Sequence, residues 1–169
     1  LRSVPAHGRS SMLTPELERT LNRALASAKE RRHEYATIEH LLYALLEDQE
    51  AAHALRACHA DFPKLRHQLL NYLDKQLGDI VSKQMHSAAK PTAGFQRILQ
   101  RAVIQVQSEQ GRQLDGAAVL IALFSERESH ATFFLREQRI TKGHVMNFVY
   151  HGYSKPIPAK RTDADGDDD

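Results

Sequence analysis

Leu17-Glu18-Arg19-Thr20-Leu21-Asn22-Arg23-Ala24 returns further along the chain as Phe95-Gln96-Arg97-Ile98-Leu99-Gln100-Arg101-Ala102. The register then holds, with Leu41-Leu42-Tyr43-Ala44-Leu45-Leu46 matching Val119-Leu120-Ile121-Ala122-Leu123-Phe124 at the same offset. A short insertion around Glu126–Ser129 follows. Beyond it Ala54-Leu55-Arg56 matches Phe134-Leu135-Arg136, and Asp61, Leu65 and Leu69 match Thr141, Val145 and Val149. An internal repeat decides the architecture. A single unit of this size buries its apolar face poorly on its own, whereas two packed face to face make one core.

Each unit reads as four helices. Leu17, Leu21, Ala24, Leu25 and Ala28 lie at helical spacing and give the first helix one apolar face. Thr14 followed by Pro15 marks its start: a hydroxyl N-cap, then a ring that needs no amide partner in the first turn. The second helix opens at Thr37 and carries Leu41, Leu42, Leu45 and Leu46. The third is short, around Ala51–Cys58, and the fourth is capped by Asp61 and carries Leu65, Leu69 and Leu73. The second unit repeats this with Thr92, Asp115 and Thr141 as caps, and with Phe95, Leu99, Val103 and Val106 as its first stripe. Few alternating runs compete, so the fold is expected to be all-α, a tandem pseudo-twofold repeat of two four-helix units with about eight helices. Repeat one spans about 12–75, a connector with Gly78 runs over 75–90, and repeat two spans about 91–152.

The ends differ from this middle. Residues 1–11 are polar and irregular, and read as an expression remnant ahead of a natural start at Met12. Residues 153–169 carry Pro156, Pro158, Lys160 and Arg161 and then five Asp, the composition of a solvated, disordered acidic linker.

The formal net charge of +2 over 169 residues lacks the strong basic excess that nucleic-acid binding favours. No run is long and apolar enough to span a membrane. Cys58 is the single cysteine, so an intrachain disulfide is excluded, which fits a reducing cytoplasmic setting.

No catalytic motif is present: neither the phosphate-cradling G-x-x-x-x-G-K-[ST] nor the G-x-S-x-G elbow occurs. His33-Glu34 begins like H-E-x-x-H, but Thr37 stands where the second His belongs. His53, His59, His67 and His130 are scattered among polar positions, and Cys58 reads as a small buried filler. The expectation is therefore a non-enzyme with no metal site and no cofactor.

The segment Arg32–His40 stands apart. It joins two helices and sets Glu34 and Glu39 around the helix start at Thr37. Carboxylates there are favoured by the helix dipole whether or not a partner exists. The second unit supplies an internal control, because Glu34, Thr37, Glu39 and His40 become Arg112, Asp115, Ala117 and Ala118. The cap is kept and the acids are lost, which points to a docking role for this corner of the first unit.

Glu16-Leu-Glu, Arg32-His-Glu-Tyr, Thr37-Ile-Glu-His-Leu-Leu, Phe95-Gln-Arg-Ile-Leu-Gln-Arg-Ala-Val, Val106-Gln-Ser, Phe124-Ser-Glu and Val145-Met-Asn-Phe-Val-Tyr-His-Gly together resemble the Clp N-terminal domain family in its ClpA form. The resemblance runs from Met12 to about Gly152, in order and through both units. It implies a mobile docking module joined by a linker to AAA+ ATPase modules of a hexamer, with the isolated module a monomer. It implies binding of a ClpS-type adaptor that delivers N-degron substrates, reception of other protein substrates, and contact with the ClpP peptidase only through the ATPase modules. The positions matching the family's adaptor contacts are Glu34, Tyr35, Thr37 and Glu39, with Tyr35 where Phe is common. The alternatives are a ClpB- or ClpC-like N-domain that binds other adaptors or unfolded substrates directly, and a helical DNA-binding module.

Overall fold

The computed structural model describes residues 12–76 and 88–157. Within them lie eight α-helices: α1 (Pro15–Glu30), α2 (Ile38–Leu45), α3 (Gln49–Ala57), α4 (Phe62–Asn71), α5 (Ala93–Gln107), α6 (Gly116–Leu123), α7 (His130–Glu137) and α8 (Lys142–His151). Helix α4 runs on into a single π-helical turn, Tyr72–Gln76. Most of the expected connector, the first eleven residues and the Asp-rich end fall outside the described residues.

The caps act as their chemistry requires. Thr14, Thr37, Asp61, Thr92, Asp115 and Thr141 each accept a backbone N–H of the first helical turn. Helix α3 begins two residues earlier than the apolar pattern suggests, because Asp48 caps it by accepting from Ala51 N at 3.0 Å. Ser129, inside the insertion, caps α7 in the same way.

The apolar stripes meet in one core. Leu17, Leu41, Leu42, Leu65, Ile98, Leu120 and Val145 are fully buried, drawn from both units. Residues in α3 pack on α6 and α8, and α2 packs on α7, so the two units share a single interior.

Two short strands add a feature that the all-α reading lacks. β1 (Tyr35–Ala36) runs parallel to β2 (Lys90–Pro91), pairing Tyr35 with Lys90 and Ala36 with Pro91. Its pseudo-twofold mate is the parallel bridge between Leu13 and Leu114. The hydrogen bonds obey the same symmetry: Thr92 N donates to Ala36 O at 3.0 Å, and Thr14 N donates to Leu114 O at 3.0 Å. The segment entering each unit is thus stitched to the loop after the first helix of the other. Two-residue strands leave no alternation in a sequence, and this pairing is set by tertiary contact alone.

Candidate functional site: the α1–α2 corner

The corner is built by a short chain of local interactions. Helix α1 ends at Glu30, and Arg32 turns the backbone through φ 58°, so that His33 N donates to Ala28 O at 2.9 Å. Glu34 then leads into β1, where its carbonyl accepts from Lys90 N at 2.9 Å. Thr37 and His40 form a reciprocal cap: His40 N donates to Thr37 Oγ1 at 3.4 Å, and Thr37 N donates to His40 Nδ1 at 2.9 Å.

That cap fixes the tautomer of His40. With Nδ1 accepting, the proton sits on Nε2, which donates to Nδ1 of His33 at 2.9 Å. Both rings are buried. Burial, then the proximity of His33 and Arg31, pulls the His40 pKa down to about 3, and burial followed by Arg31 lowers that of His33. Two neutral imidazoles therefore brace the backbone beneath Glu34 and Tyr35.

The four residues singled out from sequence share this corner but face different ways. The Glu34 side chain is exposed, Tyr35 is 43% exposed, and Thr37 is half-buried as the cap. Glu39 turns inward and is 5% exposed. Its carboxylate lies against the Ala131 and Glu39 backbone N–H groups and the Tyr72 hydroxyl, so it meets the start of α7 in the second unit. Burial raises its pKa against the pull of those hydrogen bonds, and Oε2 has no hydrogen-bond partner among the described residues. Tyr72 is pushed up to about 12 by its own burial and by the neighbouring carboxylate. The two acids thus form no outward pair: Glu34 is presented to solvent, while Glu39 ties the units together.

Beside Glu39 a cavity of about 550 Å³ opens between the units, lined by Thr37, Ile38, Arg97, Glu126 and His130 among others. Glu126 is held there by Arg97 at 2.6 Å and Arg101 at 2.9 Å, which keep its carboxyl below the usual range. The sequence reading missed Tyr72 and the His33–His40 pair. The His at the third helical position after Thr37, where a capping-box Glu is usual, was the available signal for the latter. Among the described residues no group of three His, Cys, Asp or Glu side chains is placed to hold a metal ion, and no helix is long and apolar enough to cross a membrane.

Residues 12–138 match the family model of the Clp repeat (R) N-terminal domain, and the chain belongs to that family. A relative described as a ClpA homolog protein, from Fuscovulum blasticum, is 44% identical over 149 residues, 88% of this chain. The chain spans only 19% of that relative's length. Among solved structures, the fold is similar to the Hsp104 N-terminal domain from Candida albicans, with TM-score 0.64 and 14% identity, covering 86% of this chain and 94% of that one. It is also similar to the N-terminal domain of the ClpV1 ATPase from E. coli, with TM-score 0.66 and 20% identity, covering 88% of this chain and 91% of that one. At those identities the two structures define the fold, and the ClpA-like character rests on the 44% relative.

Proposed function

We propose that this chain is the adaptor- and substrate-docking module of a ClpA-type AAA+ unfoldase, acting in the cytoplasm with a ClpP-type peptidase reached only through the ATPase modules. Its partner at the α1–α2 corner is a ClpS-type adaptor that delivers N-degron substrates; of the four corner residues, Glu34 and Tyr35 are the ones exposed to meet it, and Thr37 and Glu39 hold them in place. The observation that carries this reading is the exposed Glu34–Tyr35 pair where the chain enters β1, held by Lys90 N on Glu34 O and by the pairing of β1 with β2. A carboxylate and an aromatic ring carried on a main chain already ordered by strand pairing can meet a basic surface at a reduced ordering cost. Within the set, Thr37 fixes the backbone and Glu39 positions the corner against α7. The mechanism is tethering, in which a partner held on a linked module reaches the ATPase ring at high effective concentration. The reading includes no catalysis by this module, and one adaptor per chain, since only the first unit carries the acids.

Calorimetric titration with a purified ClpS-type adaptor tests it, using Glu34→Ala, Tyr35→Ala and the Glu34→Ala, Glu39→Ala double variant. One-to-one binding lost in the two single variants is the expected result, with circular dichroism checking that each keeps its fold. Two equivalents bound per chain would overturn the single-site reading. No binding by a folded chain would favour a ClpB- or ClpC-like module with a different partner.

A further inference from the structure

We propose that the chain leaving α8 is parked on its own domain: the acidic run at residues 163–169 occupies a basic cavity walled by the end of α6, by α7 and by the start of α8. The cavity lies beside the point where the preceding segment is already strapped down. It shares no residue with the Glu34–Tyr35 corner.

The strap is built around Lys155. After the left-handed turn at Gly152, with φ 72°, Lys155 N donates to the Ala57 carbonyl at 2.9 Å, and Lys155 Nζ donates to the Arg139 carbonyl at 2.8 Å. His59 Nε2 donates to the Lys155 carbonyl at 2.7 Å. His59 and Arg139 are counterparts in the two units and carry matching positive φ angles, 60° and 59°. The outgoing chain is thus tied across both equivalent turns. The turns are themselves joined by Gln138, whose side chain accepts from Asp61 N at 2.8 Å and donates to Asp61 O at 3.2 Å.

The cavity begins two residues beyond Arg139. It encloses about 350 Å³ and is lined by Arg127, Arg136, Thr141 and Lys142 among others, with no carboxylate. The nearby acids are taken: Glu126 is engaged by Arg97 and Arg101, and Glu137 accepts from Gln68 at 2.8 Å. Arg136 donates to the Arg127 carbonyl, and Lys142 Nζ lies 3.4 Å from Ser125 Oγ, so neutral oxygens position these cations. An anion can add charge pairing there without displacing an existing ion pair.

The occupant follows from charge and reach. Asp163 is six residues beyond Ile157, a span of up to about 20 Å, and five Asp lie within residues 163–169. Exposed ion pairs are individually weak. A ligand on so short a tether, however, meets its site at an effective concentration of about millimolar. The first unit serves as control. There Arg56, the counterpart of Arg136, lies 5.4 Å from the ring centroid of Phe62, which stands in place of Lys142, and Asp61 stands in place of Thr141. The basic cluster therefore occurs on the unit from which the acidic run departs. Parking shortens the free part of the tether, and salt lengthens it.

A nitroxide on Gly166→Cys in the full chain tests this, read as broadening of backbone amide resonances by NMR. Cys58 is fully buried, so the new thiol is the accessible one. Broadening is expected at Arg136, Lys142 and Gly143. It should fall at least about threefold when salt is raised from about 0.02 M to about 0.5 M, which screens exposed charges. The same fall is expected when Asp163, Asp165, Asp167 and Asp168 are changed to Asn, and in Lys142→Glu, with unchanged shifts of the core amides reporting a kept fold. Broadening that survives the Asp→Asn changes, or survives Lys142→Glu, would overturn the proposal. So would broadening seen equally when the nitroxide and the isotope label are on separate chains, since the acidic run would then reach a second copy.

Discussion

A side chain at Gly116 would begin inside the Asp48 carboxylate: a Cβ placed there would lie 2.0 Å from Asp48 Oδ1. Asp48 is fully buried, caps α3, and accepts the Thr20 hydroxyl at 2.6 Å, so three helices from both units converge on one carboxylate. Gly116→Ala should therefore destabilise by about 1–3 kcal/mol, read as a lower urea midpoint. Gly94→Ala is the milder comparison, because the nearest atom is the end of the Ile38 side chain, at 2.8 Å.

Removing the donor tests the same carboxylate from the other side. Thr20→Val keeps the shape and deletes the hydroxyl, leaving Asp48 Oδ2 without its 2.6 Å bond. A cost of about 1–3 kcal/mol is expected, because a buried charged acceptor loses its partner. Equal stability of the variant in chemical denaturation would show that water takes the hydroxyl's place.

The histidine pair makes stability fall in mild acid. The folded-state pKa values of His33 and His40 are lowered, His40 to about 3, so below the ordinary value of 6.5 the unfolded chain binds protons that the folded chain refuses. The contribution is present above 6.5 and is lost as pH falls toward 3. For His40 alone the slope is at most about 1.4 kcal/mol per pH unit. Denaturation midpoints measured in steps from pH 7 to pH 5 should drop in the parent chain and drop less in His40→Gln.

Glu39 acts in the opposite sense. Its pKa is raised in the fold by burial, so its contribution is greatest at low pH and is lost as pH rises through the folded value. Glu39→Gln keeps the shape and removes the charge penalty, and should raise the thermal midpoint at pH 7. The gain should shrink toward pH 4, a difference that scanning calorimetry at the two pH values reads directly.

How much of this was legible beforehand follows from the range over which each interaction acts. Thr14-Pro15, Thr37, Asp61, Thr92, Asp115 and Thr141 are local signals, each a single polar cap before an apolar run, and they mark helix starts without tertiary help. Asp48 was not visible as a cap, because Leu46-Glu47 runs into Gln49-Glu50 with no breaker between them. The loss of Glu34 and Glu39 in the second unit is legible in the sequence, and it is the reason the α1–α2 corner is the candidate site. The inward turn of Glu39 could not be read, since it depends on Tyr72, more than thirty residues away, and on Ala131 in the other unit.

The crossed strand pairing has a consequence for how such a domain comes to exist. Leu13 bridges to Leu114 and Ala36 to Pro91, so each half supplies the other with a piece of backbone it cannot provide for itself. Two separate copies of one half could make both exchanges about a true twofold axis, as a homodimer. Joining them in one chain makes the partner permanent. It also frees the halves to diverge, so that one can keep a carboxylate where the other keeps a cation. The domain is, in effect, a dimer fused into one chain, and its asymmetry can evolve without risk of dissociation.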